Sequence, residues 1–455
     1  MAVFVSAQFN GSKKVKKGKK DMATENISGG NLISRRGFVS AGAALFAAAG
    51  CTTPGEKKET IQGFDETESG ANKETAYVPF SDRKVRVGIA GEGFCGFGSA
   101  FGYQKHPNAE VVACAELDAA RRERLQGRVG AKKAYTSCED MIKHAAEDKL
   151  DAIYIATDAR SHIQLCIMAL EHGLHVASAV PAFLGKDQLE FVPKLLDAER
   201  SSGKVYMMNE TSAFRPDCFA MRRLYEAGML GSITYSEGEY FHPSGNNPDA
   251  DLGKPHDHFS YGGWRWGLPP QYYPTHSNAY YSCVTHGRFV EVTCRGVPSL
   301  MFKYRPEAKN EYGNTYGSEY AMLKCSDGSS ARMLVSWDTP SFGAERGRIW
   351  GQKGCFVPEK LRPGDDVPLH GGYLGWFSDK VKAMDLRKPA LPPGMPAGGH
   401  GGSHGYLTDD FLRAILVKDH KVCVDSKLAL NMTMAGVYAH LSAMKDGETL
   451  KIPQV

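Results

Sequence analysis

From residue 83 to residue 210 the chain alternates short apolar runs with longer stretches of helical period. Val85-Arg86-Val87-Gly88-Ile89-Ala90 reads as a buried parallel strand, and residues 110–115, 150–157, 175–181 and 205–209 read the same way. Residues 118–129, 137–147 and 161–172 have helical spacing, with Ser137 placed as an N-cap and Gly173 as a closing glycine. Strand and helix alternating at this spacing predict an α/β fold with a doubly wound parallel sheet. After Asn209 the period changes. Residues 218–228 read as a helix and 232–243 alternate as a strand. Residues 300–304, 319–325, 331–337 and 347–351 are further strand candidates among Gly/Pro/aromatic loops. The region 211–455 is therefore expected to be an α+β domain with a mainly antiparallel sheet. Residues 426–447 read as an amphipathic helix that packs, with the N-terminal domain as one surface open to it. No internal repeat is visible.

Ahead of these elements the pattern is that of an address. Residues 13–20 hold six lysines, and Met22 is an alternative start. Ser34-Arg35-Arg36-Gly37-Phe38 is a twin-arginine signal, followed by an apolar run over residues 41–50 and then Cys51. The run is too short to span a bilayer and fits a signal h-region. Ala48-Ala49-Gly50-Cys51 resembles a bacterial lipobox, so Cys51 is the expected lipidated N-terminus of a periplasm-facing, membrane-anchored lipoprotein. Residues 1–50 are thus read as signal and 51–82 as a polar tether. Twin-arginine export carries folded proteins, which suits an enzyme that takes up its cofactor before leaving the cytoplasm.

The charge picture changes once the signal is set aside. Of 55 basic and 51 acidic residues, eight and two lie before Cys51, so the remainder is close to neutral and slightly acidic. A generally basic nucleic-acid binder is excluded. A composition of 42% hydrophobic and 23% charged residues fits a globular protein rather than a disordered one. The ten cysteines after Cys51 contain no C-x-x-C pair and read as buried thiols, although disulfides remain open outside the cytoplasm.

The first strand runs directly into Gly91-Glu92-Gly93-Phe94-Cys95-Gly96, a G-x-G-x-x-G sequence. The first glycine permits a tight turn, the second lets a pyrophosphate approach the backbone, and the third allows close packing of helix on strand. Glu116 ends the second strand, 20 residues after Gly96, where a carboxylate can bind both ribose hydroxyls and repel a 2′-phosphate. The expected cofactor is NAD, held by Gly91, Gly93, Phe94, Cys95, Gly96 and Glu116 in a Rossmann domain of residues 83–210.

Two polar clusters stand out in the second domain. Tyr272-Tyr273-Pro274-Thr275-His276 precedes a helix candidate, and Tyr273 and His276 are spaced to share a face at its start. Tyr and His form a plausible acid/base pair. Gly398-Gly399-His400-Gly401-Gly402-Ser403-His404 sets a histidine among glycines, which suits a mobile loop or a substrate contact better than packing. The motif His256-x-His258 lacks a firm third ligand, so no metal is expected. His242 is a weaker candidate for the substrate site, and His286 reads as structural.

At this level of detail the chain resembles the glucose–fructose oxidoreductase and inositol dehydrogenase (Gfo/Idh/MocA) superfamily. The segment "DAIYIATDARSH" is similar to that family's nicotinamide-side loop, with Thr157 and His162 in matching places. In "GLHVASAVPA" Val180 stands where the catalytic lysine is usual, which points away from polyol dehydrogenase chemistry. The clusters "YPTH" and "GHGG" resemble those of glycoside hydrolase family 109, over roughly residues 83–450. That resemblance implies Thr157, His162 and Val180 on the cofactor side and Tyr273, His276 and His400 as catalytic residues. It implies a carbohydrate substrate, bound NAD, and transient oxidation of a ring hydroxyl followed by elimination, water addition and hydride return. A homodimer through an exposed sheet face is a further implication. A net sugar dehydrogenase and a non-catalytic sugar-binding lipoprotein remain the alternatives.

Overall fold

The computed structural model describes residues 76–93, 96–242, 263–339, 345–358, 373–375 and 388–455. The signal, Cys51, most of the tether, Phe94, Cys95 and the His256-x-His258 motif lie outside the described residues.

Six parallel strands form the first sheet: β1 (Val85–Ala90), β2 (Ala109–Ala115), β3 (Lys133–Tyr135), β4 (Ala152–Ile155), β5 (His175–Ser178) and β6 (Tyr206–Met208). Their spatial order is β3-β2-β1-β4-β5-β6, so the direction of winding reverses between β1 and β4. That reversal opens a crevice at the carboxyl ends of the strands, where ligands bind in such sheets. The apolar runs explain the sheet. Val85, Val87 and Ile89 on β1 and Ile153, Tyr154 and Ile155 on β4 are all fully buried, as expected of strands covered on both faces. Between them run α1 (Phe97–Ala100), α2 (Ala119–Val129), α3 (Cys138–Lys143), α4 (His162–Glu171) and α5 (Val192–Ser202). Asp118 and Ser137 cap α2 and α3 through their side chains.

The helix after the glycine motif is a single turn, because Gly102 leaves it in left-handed conformation at φ 78°. Within it, Gly98 makes the close approach that the motif spacing assigned to Gly96. A Cβ on Gly98 would lie 2.1 Å from the Gly91 carbonyl oxygen, whereas one on Gly96 meets nothing closer than 3.4 Å. Gly98→Ala is accordingly expected to lower stability by about 1–3 kcal/mol, the usual range for forced overpacking, read as an earlier urea midpoint at unchanged slope.

The second sheet comprises β7 (Ile233–Phe241), β8 (Phe289–Pro298), β9 (Tyr316–Cys325), β10 (Ser330–Ser336), β11 (Glu345–Gly351), β12 (Gly354–Phe356), β13 (Tyr373–Gly375) and β14 (Leu450–Lys451). The order is β13-β12-β11-β7-β10-β9-β8-β14, with β7 and β10 parallel and the other pairs antiparallel. Helix α7 (Thr275–Thr285) lies on β7, β10 and β11, and α6 (Pro216–Glu226) packs against α7 and β11. After them come α8 (His404–Leu416) and α9 (Ser426–Ala443).

Two expectations need correction. Residues 300–304 are not a strand: Phe302–Tyr304 is a 3₁₀ turn lying between Pro298, which ends β8, and Pro306, neither of which can donate to a ladder. Helix α9 is not amphipathic, since 15 of its 18 residues are buried. It runs between β8 of the second sheet and β6 and α5 of the first, so only Lys427, Tyr438 and Leu441 of its residues keep contact with water. Its polar residues are paired: Asn431 Oδ1 accepts the Phe289 N–H at 2.8 Å, and Thr433 Oγ1 accepts the Ala182 N–H at 3.2 Å.

All nine described cysteines are free, and seven of them are buried. Among the described residues no helix is long and apolar enough to cross a membrane.

Candidate functional site

The crevice beside β1 is shaped by its glycines. At Gly91 φ is 89° and a Cβ would sit 2.5 Å from the Ala156 carbonyl oxygen, so no side chain fits. At Gly93 φ is 57° and nothing lies within 4 Å of that position, which leaves room for a phosphate to approach the backbone. Glu116, directly after β2, accepts hydrogen bonds from the Glu92, Gly93 and Asp118 N–H groups at 2.9, 3.2 and 3.2 Å. Burial acts to raise its pKa, but these three donors and Arg121 outweigh it, and the carboxylate is held below its ordinary range. Left-handed glycines, open space and an ionised carboxylate together fit a dinucleotide. Glu92 is a feature the motif does not announce. It is buried, its carboxylate accepts from the Ser99 N–H and Oγ at 3.1 Å each, and Arg128 Nη1 lies 2.6 Å away.

On the far side of the crevice, Val180 precedes Pro181 through a cis peptide bond. Thr157 Oγ1 meets Ser161 Oγ at 2.8 Å. His162 has a different place from the one expected. Both ring nitrogens face main-chain oxygens, Nδ1 that of Pro181 at 2.8 Å and Nε2 that of Thr157 at 3.1 Å. Its ring is spent on joining these two turns, so it supports the cofactor side from behind rather than lining it.

The second cluster forms where the end of the first sheet meets α7. Chain leaving β6 enters a 3₁₀ turn, Thr211–Phe214, whose N-cap is Glu210. Across from it, His276 stands in the first turn of α7, with Nδ1 2.7 Å from Glu210 Oε1 and 3.3 Å from Ser212 Oγ. Ser212 also donates to that carboxylate through its N–H at 2.9 Å and its Oγ at 2.6 Å. Burial alone would raise the Glu210 carboxyl, but the His276 charge and these hydrogen bonds bring it down to about 2. For His276 burial favours the neutral ring, yet the Glu210 carboxylate overcomes this and raises its pKa. The two form a buried ion pair.

Around the pair stand aromatic rings. The Tyr240 centroid is 4.7 Å and the Tyr273 centroid 5.4 Å from that of His276. Arg265 lies 4.6 Å over the Tyr273 ring and 4.5 Å over the Trp264 ring. His242 sits beside this group, 5.8 Å from Tyr240.

His400 completes the cluster. Its ring stacks near that of His276, with centroids 6.4 Å apart and planes 20° apart. His400 Nδ1 is 2.8 Å from His404 Nε2, and His404 Nδ1 is 3.3 Å from the Ala100 carbonyl oxygen. The His404 ring stacks on Phe101 at 4.3 Å, so the histidine turn rests on the helix of the glycine motif. Burial, followed by the His276 and His404 charges, lowers His400 to about 3. Burial likewise lowers His404 to about 4. The two stacked rings are thus pushed in opposite directions, His276 toward its cation and His400 toward the neutral form.

Tyr273, His276 and His400, the three residues singled out by their motifs, are thus brought together, and Gly91, Gly93 and Glu116 form the adjoining crevice. His286 lies at the far end of α7 in a left-handed cap at φ 54°, a structural position. Glu210 and Ser212 are the members that motif reading misses. Their only local signal is an acid directly after an apolar parallel strand. Among the described residues no group of three or more His, Cys, Asp or Glu side chains could hold a metal ion.

Residues 85–210 match the model of an oxidoreductase family with an NAD-binding Rossmann fold, GFO_IDH_MocA. A glycosyl hydrolase family 109 protein of Porphyromonas gingivalis is 32% identical over 166 residues, covering 35% of this chain and 34% of that protein. An alpha-N-acetylgalactosaminidase of Bacteroides fragilis is 27% identical over 201 residues, covering 42% and 46%. The chain therefore spans less than half the length of these curated relatives. Among solved structures, levoglucosan dehydrogenase in complex with NADH aligns with a TM-score of 0.60 at 17% identity, over 82% of this chain and 100% of that one. The scyllo-inositol dehydrogenase of Lactobacillus casei with bound NAD(H) and scyllo-inositol aligns at 0.57 and 17%, over 81% and 99%. Residues 85–210 thus match the NAD-binding Rossmann domain of the GFO_IDH_MocA oxidoreductase family, which gives NAD as the cofactor, and the curated proteins to which the chain is similar include members of glycosyl hydrolase family 109.

Proposed function

We propose that this chain is an exported NAD-dependent carbohydrate enzyme that cleaves glycosides without net redox change. The observation that carries the reading is the pairing of His276, locked to Glu210 and pushed toward its cation, with a neutral His400 stacked beside it. Two titratable groups pushed apart in this way mark an acid and a base in one site. NAD, when bound, supplies reversible hydride acceptance at a ring carbinol, and Gly91, Gly93, Gly96 and Glu116 would hold it.

The chain's own residues then manage protons. His276, charged and fixed through Nδ1, orients the ring hydroxyl and acts as a donor. Tyr273 is its proton partner, with the Arg265 guanidinium packed over its ring. His400 works from the basic side. His400 Nδ1 is shared with His404 Nε2, while the Gly399 N–H and the Ala100 carbonyl both face His404 Nδ1, so the tautomer of the pair sets whether His400 Nε2 carries the proton or the lone pair. Oxidation of a carbinol acidifies the adjacent C–H, which is the proton such a base removes before the aglycone leaves. Val180 brings no ammonium to this step, so the histidines and Tyr273 carry it.

A redox-neutral cycle also suits the export read from the twin-arginine and Cys51 signals, because NAD is not readily recycled outside the cytoplasm. The second reading, a net sugar dehydrogenase, predicts NADH accumulation with sugar alone. Denatured pure protein is expected to release a dinucleotide, identified by absorbance and mass, and preparations without one would count against a retained cofactor. Glu116→Ala is expected to weaken NAD binding about tenfold or more, the scale of a lost charge-assisted hydrogen bond. Titration with NAD by calorimetry checks this, and unchanged affinity would remove Glu116 from the ribose role.

A further inference from the structure

Lys388 lies outside the histidine cluster, yet its side chain ends on the turn that carries His400. Its Nζ donates to the carbonyls of Phe214 at 2.8 Å, Gly401 at 3.1 Å and Gly402 at 2.7 Å. The ammonium also sits 4.6 Å over the Tyr406 ring, whose hydroxyl donates to the Pro389 carbonyl at 2.8 Å. The turn it grips is an unusual one. His400, Gly401 and Gly402 are consecutive left-handed residues, at φ 52°, 67° and 71°. A residue bearing a Cβ enters that region at a cost, and it stays there only when its surroundings impose it. Here the Gly401 and Gly402 carbonyls converge on one cation, which also ties them to the segment that begins at Glu210.

We propose that Lys388 is a positioning residue, whose carbonyl-bound ammonium latches the Gly399–Gly402 turn and so holds His400 against His276. The inference rests on the role given to His400 above only for its effect on turnover. The geometric part stands by itself. Arg215 and Asp217 are the charged groups that act on Lys388. Burial first, and then Arg215, lower its pKa to about 8, so the latch is charged at neutral pH. The groups facing His400 are His276 on α7, His404 on α8, and Glu210 and Arg215 on the segment after β6.

The test uses the full chain labelled with ¹³C at its histidine rings, with His400→Asn to assign the His400 signal. In the wild type that signal is expected not to move between pH 5 and 8. Lys388→Met removes the donors and releases the turn, so the signal should titrate with a midpoint near the ordinary histidine value of about 6.5. Lys388→Arg, which restores N–H donors, should restore the silent signal. If the methionine variant does not fold, Lys388→Gln takes its place with the same expected titration. A His400 signal that stays silent without the lysine overturns the latch, as does one that titrates near 6.5 in the wild type. In turnover, the methionine variant should lose up to about a hundredfold in kcat, the scale of a small misplacement, with KM little changed and most of the loss recovered by arginine. Normal turnover together with a freed His400 signal would support the latch and remove His400 from the chemistry.

Discussion

His276→Ala is expected to lower turnover about a hundredfold or more, the usual scale for a lost acid/base group, while leaving the dinucleotide bound. Retention follows from geometry. His276 belongs to α7 and touches Glu210, Ser212, Tyr240, Tyr273 and His400, whereas the glycine turn is fixed by Glu116 and by the close seat of Gly98. Loss of activity and loss of cofactor should therefore separate. Steady-state rates on aryl glycosides, set beside the dinucleotide released on denaturation, check both halves. A variant that turns over normally would remove His276 from the reaction. One that loses its cofactor would show the two clusters to be a single structural unit.

Glu210→Ala should have the largest effect on stability, about 3–5 kcal/mol, because it leaves the partner of a buried ion pair uncompensated. The pH dependence is specific. Glu210 is held at about 2, below the ordinary glutamate value of about 4.3. Its share of stability is present above about 4.3 and lost as the pH falls toward 2. His276 is raised above its ordinary value, so its share is full below about 6.5 and is lost as the pH rises through the raised value. The difference between wild type and variant should thus be greatest between about pH 4.3 and 6.5 and shrink on both sides. Urea unfolding at pH 3, 5.5 and 8.5 reads this directly. A flat difference would mean that the pair is not ionised in the folded protein.

How far the sequence reveals this site depends on the range of the interactions involved. The parallel sheet is legible because its strands are continuous apolar runs bounded by capped helices. The glycine motif is legible because a turn, an open approach and an acid follow one another within a short stretch. The histidine clusters show in the sequence because a histidine among glycines, or beside Tyr and Pro, has little reason to be there for packing. Glu210 escapes such reading, since its partner His276 is 66 residues away and neither neighbourhood is periodic. Which glycine makes the close contact is likewise hidden. Spacing favours Gly96, and only the path of the backbone over Gly91 shows that Gly98 does it. Strand β8 carries alternating apolar and polar residues, but it lies between loops that obscure its ends. Helix α9 contains enough polar residues to look one-sided. Its burial comes from lying between two sheets, and Asn431, Thr433 and His440 each find a partner there.

The most direct measurement is cleavage of aryl glycosides, an α-N-acetylgalactosaminide among them, in deuterium oxide without added NAD. The released sugar is predicted to carry deuterium on the carbon beside the transiently oxidised one, with no net accumulation of NADH. Unlabelled sugar released at a normal rate, above all if the His276 variant is equally active, would contradict the account and point to hydrolysis by two carboxylates.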